Sequence, residues 1–146
     1  MNYLVDTNVV SEFPKPGLDP NVERWISDTP ENQIWLSAIT FTELRIGIDS
    51  MAGGRRRTLL LSWFENDLPA RFEGRIISVG VGVADVCGSL MARSQKLGRA
   101  LELADGLLAA TAETHGMTLV TRNTKHFENL GIRLLNPWLG SSSHQH

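Results

Sequence analysis

A single cysteine, Cys87, in 146 residues excludes an internal disulfide and suits a reducing compartment. No apolar run approaches the ~18 residues needed to span a bilayer. Asp6 and Glu12 interrupt the one early apolar stretch, so nothing reads as a signal segment. A cytoplasmic protein with no membrane association is therefore expected. Neither sign of charge dominates: 14 Lys and Arg stand against 16 Asp and Glu, a net charge of −2. This excludes a broad basic footprint for polyanions, although a local basic face can coexist with acids elsewhere. Metal and nucleotide signatures are also sparse. There is no cysteine pair and no His-Glu-x-x-His spacing for zinc, and no Gly-x-x-x-x-Gly-Lys loop to cradle a triphosphate. Val79-Gly80-Val81-Gly82 lacks the third glycine of a dinucleotide fingerprint.

What is present is an ordinary globular composition, 42% hydrophobic and 21% charged, long enough for one domain with a real core. Tyr3 to Val5 reads as a short buried strand and Asn8 to Glu12 as a helical turn. Pro14, Pro16 and Pro20 force a loop before a helix at Val22 to Ser27. Further strands are predicted at 33–37, 75–79, 117–121 and 132–135. Helices are predicted at 40–51, 55–67, 83–97 and 104–115, with Gly116 as the stop of the last and a short turn at 125–128. This alternation predicts one α/β domain over residues 1–138, a parallel sheet with helices on both faces. Residues 139–146 are small and polar, include His144 and His146, and are expected to form a disordered tail.

In such sheets ligands gather at the carboxyl ends of strands. Asp6 ends the first strand, and Glu43 and Asp105 fall just inside later helices. Three acids at strand-to-helix transitions suggest a shared site for a hard cation, because an isolated buried carboxylate is strongly penalised. Local roles compete with that reading. Asp6 can cap the turn that starts at Thr7, and Thr40-Phe41-Thr42-Glu43 matches a capping box. Asp105 shares a helical face with Leu108, Ala109 and Ala112. The helix dipole would return only ~0.3–1 kcal/mol there, small beside the several kcal/mol of burying an ion. Oxygen ligands suit Mg²⁺ or Mn²⁺. Asn123 reads either as a turn former or as a group that orients water or a substrate oxygen, and His126 as a surface histidine. Arg55-Arg56-Arg57 is the one dense basic run. With Lys15, Arg71 and Arg75 it is either a solvated face or a source of phosphate contacts.

Four segments together resemble a known family. Leu4-Val5-Asp6-Thr7-Asn8-Val9-Val10-Ser11-Glu12 resembles the opening motif of PIN-domain proteins, and Leu36 to Gly47, around Thr42-Glu43-Leu44, resembles the second. Leu103-Ala104-Asp105-Gly106 to Ala112 resembles the third and Leu119-Val120-Thr121-Arg122-Asn123 the fourth. The closing Leu135-Asn136-Pro137-Trp138 is typical of the bacterial VapC/FitB-like branch. The resemblance implies a three-layer α/β/α sandwich around a central parallel sheet. It also implies a Mg²⁺- or Mn²⁺-dependent endoribonuclease that is the toxin of a type II toxin–antitoxin system. The family's acids map onto Asp6, Glu43 and Asp105. A fourth acid is frequent in the last motif; here Asn123 stands there, with His126 where some relatives carry aspartate.

On this basis Asp6 and Asp105 are expected to bind the metal, with Glu43 completing or orienting its shell and Asn123 as a further catalytic group. Thr7, Asn8, Thr121 and Arg122 are expected to meet substrate. The implied partners are an RNA substrate, a cognate antitoxin lying across the acidic groove, DNA only through that complex, and a second copy docked through helices between Thr40 and Asp67. A different class remains open: a regulatory binding protein that acts through a partner complex, with weak or no nuclease activity. A metal-dependent phosphatase would share the carboxylates but lacks an aspartyl-phosphate motif.

Overall fold

Apolar alternation in the first strand sets the layers. In the computed structural model, which describes residues 1–140, β1 (Tyr3–Val5) is the middle strand of a parallel five-stranded sheet. Leu4 packs toward one face and Val5 toward the other, as period-two geometry requires. After β1 come α1 (Thr7–Val10), α2 (Pro20–Asp28), β2 (Ile34–Ser37), α3 (Ala38–Asp49), α4 (Arg55–Ser62) and α5 (Leu68–Arg71). Then follow β3 (Ile76–Ile77), α6 (Val81–Lys96), α7 (Leu103–His115), β4 (Thr118–Val120) and β5 (Leu134–Leu135). The strand order is β3-β2-β1-β4-β5, every pair parallel. The chain leaves β1 toward β2 on one side and returns to pair β4 on the other. The order therefore reverses between β1 and β4, the place where ligands bind in open α/β sheets.

One layer of the core joins Leu4 and Leu119 to Val83, Cys87 and Leu90 of α6 and Leu108 and Ala109 of α7. The opposite layer joins Val5 and Val120 to Val9, Trp25, Leu44, Leu68 and Phe72. The expected α/β/α sandwich is present, and no helix among the described residues is long and apolar enough to cross a membrane.

Boundaries differ from expectation where local chemistry intervenes. The second helix starts at Pro20, not Val22, because Asp19 caps it, accepting from the Asn21 and Val22 N–H groups, and proline suits the first helical position. The third starts at Ala38, not Thr40, because Ser37 is its cap. The helix expected over 55–67 is α4 followed by a π-helical turn, Trp63–Asp67, that runs into α5. The strand expected at 75–79 pairs only at Ile76 and Ile77, opposite Leu36 and Ser37. Gly116 does stop α7, with φ 64° in the left-handed region. Of the tail expected at 139–146, Leu139 ends a 3-10 turn (Pro137–Leu139). The part beyond Gly140, with His144 and His146, lies outside the described residues.

Gly106 allows α7 to lie against α6: a Cβ there would stand 3.0 Å from Cys87 Sγ and 3.1 Å from Met91 Cγ. Gly106→Val is expected to lower unfolding stability by ~1–3 kcal/mol through overpacking, measured by urea denaturation. An unchanged midpoint would show that α6 and α7 have room to spare.

Candidate active site at the carboxyl edge of the sheet

Asp6 sits where β1 stops. Its N–H still pairs with the Val120 carbonyl at 2.9 Å, while its side chain turns to cap α1. Oδ1 accepts from the Thr7 N–H at 2.7 Å. Oδ2 accepts from the Thr121 hydroxyl at 2.8 Å and from the Asn8 amide at 3.4 Å. The residue is 6% exposed. Burial is the largest influence on its carboxyl and raises the pKa above the ordinary value. Hydrogen bonds from Thr121 and Thr7, the charge of His126 and the Asn8 contact oppose this without overcoming it. A carboxylate offers about four acceptor positions, so capping leaves Asp6 capacity for one further partner.

Glu43 does not form the capping box. The Ser37 hydroxyl accepts from the Ile39 N–H at 3.1 Å, which places Glu43 in the second turn of α3, past the unpaired N–H groups. The Thr40 hydroxyl, the box's other half, is buried and has no hydrogen-bond partner among the described residues. Glu43 Oε1 instead accepts from the Thr7 hydroxyl at 2.6 Å. Its pKa is raised, by burial first; the Thr7 bond opposes this, and the charges of Asp6, Asp105 and Glu102 add to it.

Asp105 lies in the first turn of α7, as expected. Its Oδ2 is 3.3 Å from Nδ1 of His126, and 23% of its side chain is exposed. Burial and then the charge of Asp6 raise its pKa; His126 opposes them, and Glu102 adds to them. The acids from β1, α3 and α7 therefore share one electrostatic neighbourhood. Glu102 was missed by sequence reasoning. It is exposed at the N-cap of α7, three residues before Asp105, a spacing that places both on one side of a helix start.

The remaining residues divide between supporting and facing the pocket. Thr121, expected to touch substrate, is completely buried and its hydroxyl donates to Asp6. It holds the carboxylate and is out of substrate's reach. Thr7 bridges Asp6 and Glu43. The Asn8 side-chain oxygen accepts from the Arg122 N–H at 3.2 Å, tying α1 to the end of β4. Arg122 is exposed, with its guanidinium carbon 5.0 Å from the Trp138 ring centre. Asn123 is exposed, and its backbone N–H donates to the Thr121 hydroxyl at 3.0 Å.

From Thr7 and Glu43 a groove of about 1050 Å³ runs outward to Arg55 and Arg56, between Pro14-Lys15-Pro16 and the apolar side chains of Leu44, Ile48, Met51, Leu59 and Trp63. Lys15 pairs with Glu12 at this wall. The basic run divides: Arg55 and Arg56 line the groove, while Arg57 binds the Ile48 carbonyl and Asp49. Arg71 and Arg75 also do not help it, since both pair with Glu31.

Among the described residues no group of three or more His, Cys, Asp or Glu side chains is arranged to hold one ion. Of the two roles expected for Glu43, completing the shell or orienting it, no three-residue cluster among the described residues supports the first, and one Glu43 oxygen accepts from the Thr7 hydroxyl. The donor set still fits a hydrated hard cation, because Asp6 and Asp105 offer oxygen only, and Mg²⁺ commonly takes one or two carboxylates and keeps its waters.

Fold and site together define an α/β/α domain with an acidic, oxygen-lined pocket at its switch point. The chain belongs to the PIN-domain family, whose profile matches residues 3–132. It is 37% identical over 135 residues to the VapC ribonuclease Y4jK of Sinorhizobium fredii, covering 92% of this chain and 96% of the relative. It is 33% identical to Toxin FitB of Neisseria gonorrhoeae, covering 92% and 97%. A chain in the structure of FitAB bound to an IR36 DNA fragment matches with a TM-score of 0.88 at 33% identity, covering 99% of each chain.

A carboxylate with a raised pKa binds more protons folded than unfolded, so its site loses stability as pH climbs from the ordinary value through the raised one. Asp105→Asn is therefore expected to melt above the wild type at pH 7.5. That advantage should vanish as pH falls below the ordinary aspartate value of 3.8. A lower melting temperature for the variant at pH 7.5 would mean that the His126 contact outweighs burial and repulsion.

Proposed function

We propose that this protein is a Mg²⁺- or Mn²⁺-dependent endoribonuclease and the toxin member of a type II toxin–antitoxin pair. The observation that carries this reading is the gathering of Asp6, Glu43 and Asp105 at the switch point, each with a raised pKa. The similarity to a VapC ribonuclease over 92% of the chain supports it.

Asp6 and Asp105 would hold the cation. When bound it would offset negative charge that develops on the scissile phosphate and lessen the pocket's repulsion of RNA. The protein's own groups do the remaining work. Thr7 and Thr121 fix the Asp6 carboxylate, one through its N–H and the other through its hydroxyl. Glu43, with one oxygen held by Thr7 and its pKa raised chiefly by burial, is the remaining carboxylate of the three and serves as the proton acceptor. It takes a proton from the attacking water as the new oxygen–phosphorus bond forms. The bond from phosphorus to the 3′ oxygen breaks, and that oxygen takes a proton from solvent. The products are a 5′ phosphate and a 3′ hydroxyl. Asn123 and Arg122, exposed beside the held turn, supply contacts to substrate oxygens.

The apolar groove beside the acids suits a segment of the antitoxin, and the FitAB–DNA relative supports DNA contact through such a complex. A net charge of −2 agrees with DNA contact through a partner. A homodimer belongs to the same reading; Ile46 of α3 is 61% exposed and available for it. The second reading, a regulatory protein with little nuclease activity, also draws on the DNA-bound relative.

Asp6→Asn and Asp105→Asn are each expected to reduce cleavage of single-stranded RNA by at least ~100-fold with circular dichroism unchanged. Chelation should abolish wild-type cleavage. Full cleavage by both variants would refute the site, and an inactive wild type whose partner complex binds operator DNA would favour the regulatory reading.

A further inference from the structure

Two hydrogen-bonded routes run from one short turn to the two ion-binding acids. From Thr121, wholly buried at the end of β4, the hydroxyl reaches Asp6 Oδ2. That same hydroxyl accepts the Asn123 N–H at 3.0 Å, and the Asn123 carbonyl accepts the His126 N–H at 3.0 Å. The His126 ring then meets Asp105 Oδ2 at 3.3 Å. The turn is anchored because the next residue, Phe127, is 1% exposed in the core beneath α7. We propose that His126 is a positioning residue: it holds the Asp105 carboxylate in register with Asp6 across the pocket. This inference rests on the functional reading above.

The chemistry of the contact fixes its direction. An ionised carboxylate can only accept, so in this contact Nδ1 of His126 is the donor. Carboxylates that bind metal are characteristically held by such outer hydrogen bonds, whose loss costs ~10–100-fold in affinity or activity. An exposed ion pair without that duty would be worth little. The His126 side chain is 57% exposed, so burial does not account for the contact and truncation there should leave the fold intact. No other hydrogen bond to the Asp105 carboxylate is found among the described residues. Asp6, by comparison, has three donors.

Mn²⁺ affinity by calorimetry and steady-state cleavage of a short single-stranded RNA, measured on wild type, His126→Ala, His126→Asn and Asp105→Asn, test the proposal. His126→Ala is expected to weaken Mn²⁺ binding about tenfold and to lower kcat about tenfold with KM little changed. His126→Asn, which retains an N–H donor near the Nδ1 position, should recover most of both. Wild-type values for His126→Ala, with both lost in Asp105→Asn, would overturn the positioning role and leave the nuclease reading standing. Equal losses in the Ala and Asn variants would overturn the hydrogen-bond basis. A wild type that neither binds Mn²⁺ nor cleaves RNA would overturn the functional reading and this inference with it.

Discussion

The burial of one carboxylate at the end of the central strand is the constraint around which this molecule is organised. Asp6 cannot leave the sheet: its N–H is in the β1–β4 pairing, and its two neighbours in the strand fill opposite core layers. An acid in that position is costly by several kcal/mol unless hydrogen bonds and a counter-charge meet it. The surrounding residues supply the hydrogen bonds. The counter-charge is what the protein itself supplies least, since two more acids face the same space and the basic group that acts on both Asp6 and Asp105, His126, is exposed.

That imbalance has the character of a functional site. Three arginines are committed to other acids: Arg57 to Asp49, Arg71 and Arg75 to Glu31. Stability is given up locally for a pocket ready to accept positive charge, a trade typical of active sites. Under the proposed function, a partner that brings a cationic side chain would satisfy the same pocket that a metal ion would.

Much of the fold was legible in the sequence because the strands are short apolar runs separated by helices, and the order of the elements followed directly. Asp105 could be read from helical spacing alone: its face is the one carrying Leu108, Ala109 and Ala112, all fully buried. Glu43 was found for its chemistry but misjudged in its local role. The Ser37 hydroxyl lies at the strand end and takes the cap first, so the four-residue pattern beginning at Thr40 had no terminus to cap. Thr121 was assigned to substrate because it flanks the site, yet the parallel pairing of β4 with β1 turns its hydroxyl inward. The His126–Asp105 contact joins positions 21 residues apart. It depends on how the turn after β4 folds over α7, which no local pattern encodes.

The account stands on Asp6 and Asp105 sharing one divalent ion. Anomalous diffraction from crystals soaked in Mn²⁺, recorded at the manganese absorption edge, addresses this directly. The account predicts a single peak between the Asp6 and Asp105 carboxylates, with waters completing the shell. A peak bound elsewhere, or none with the pocket open to solvent, would contradict it.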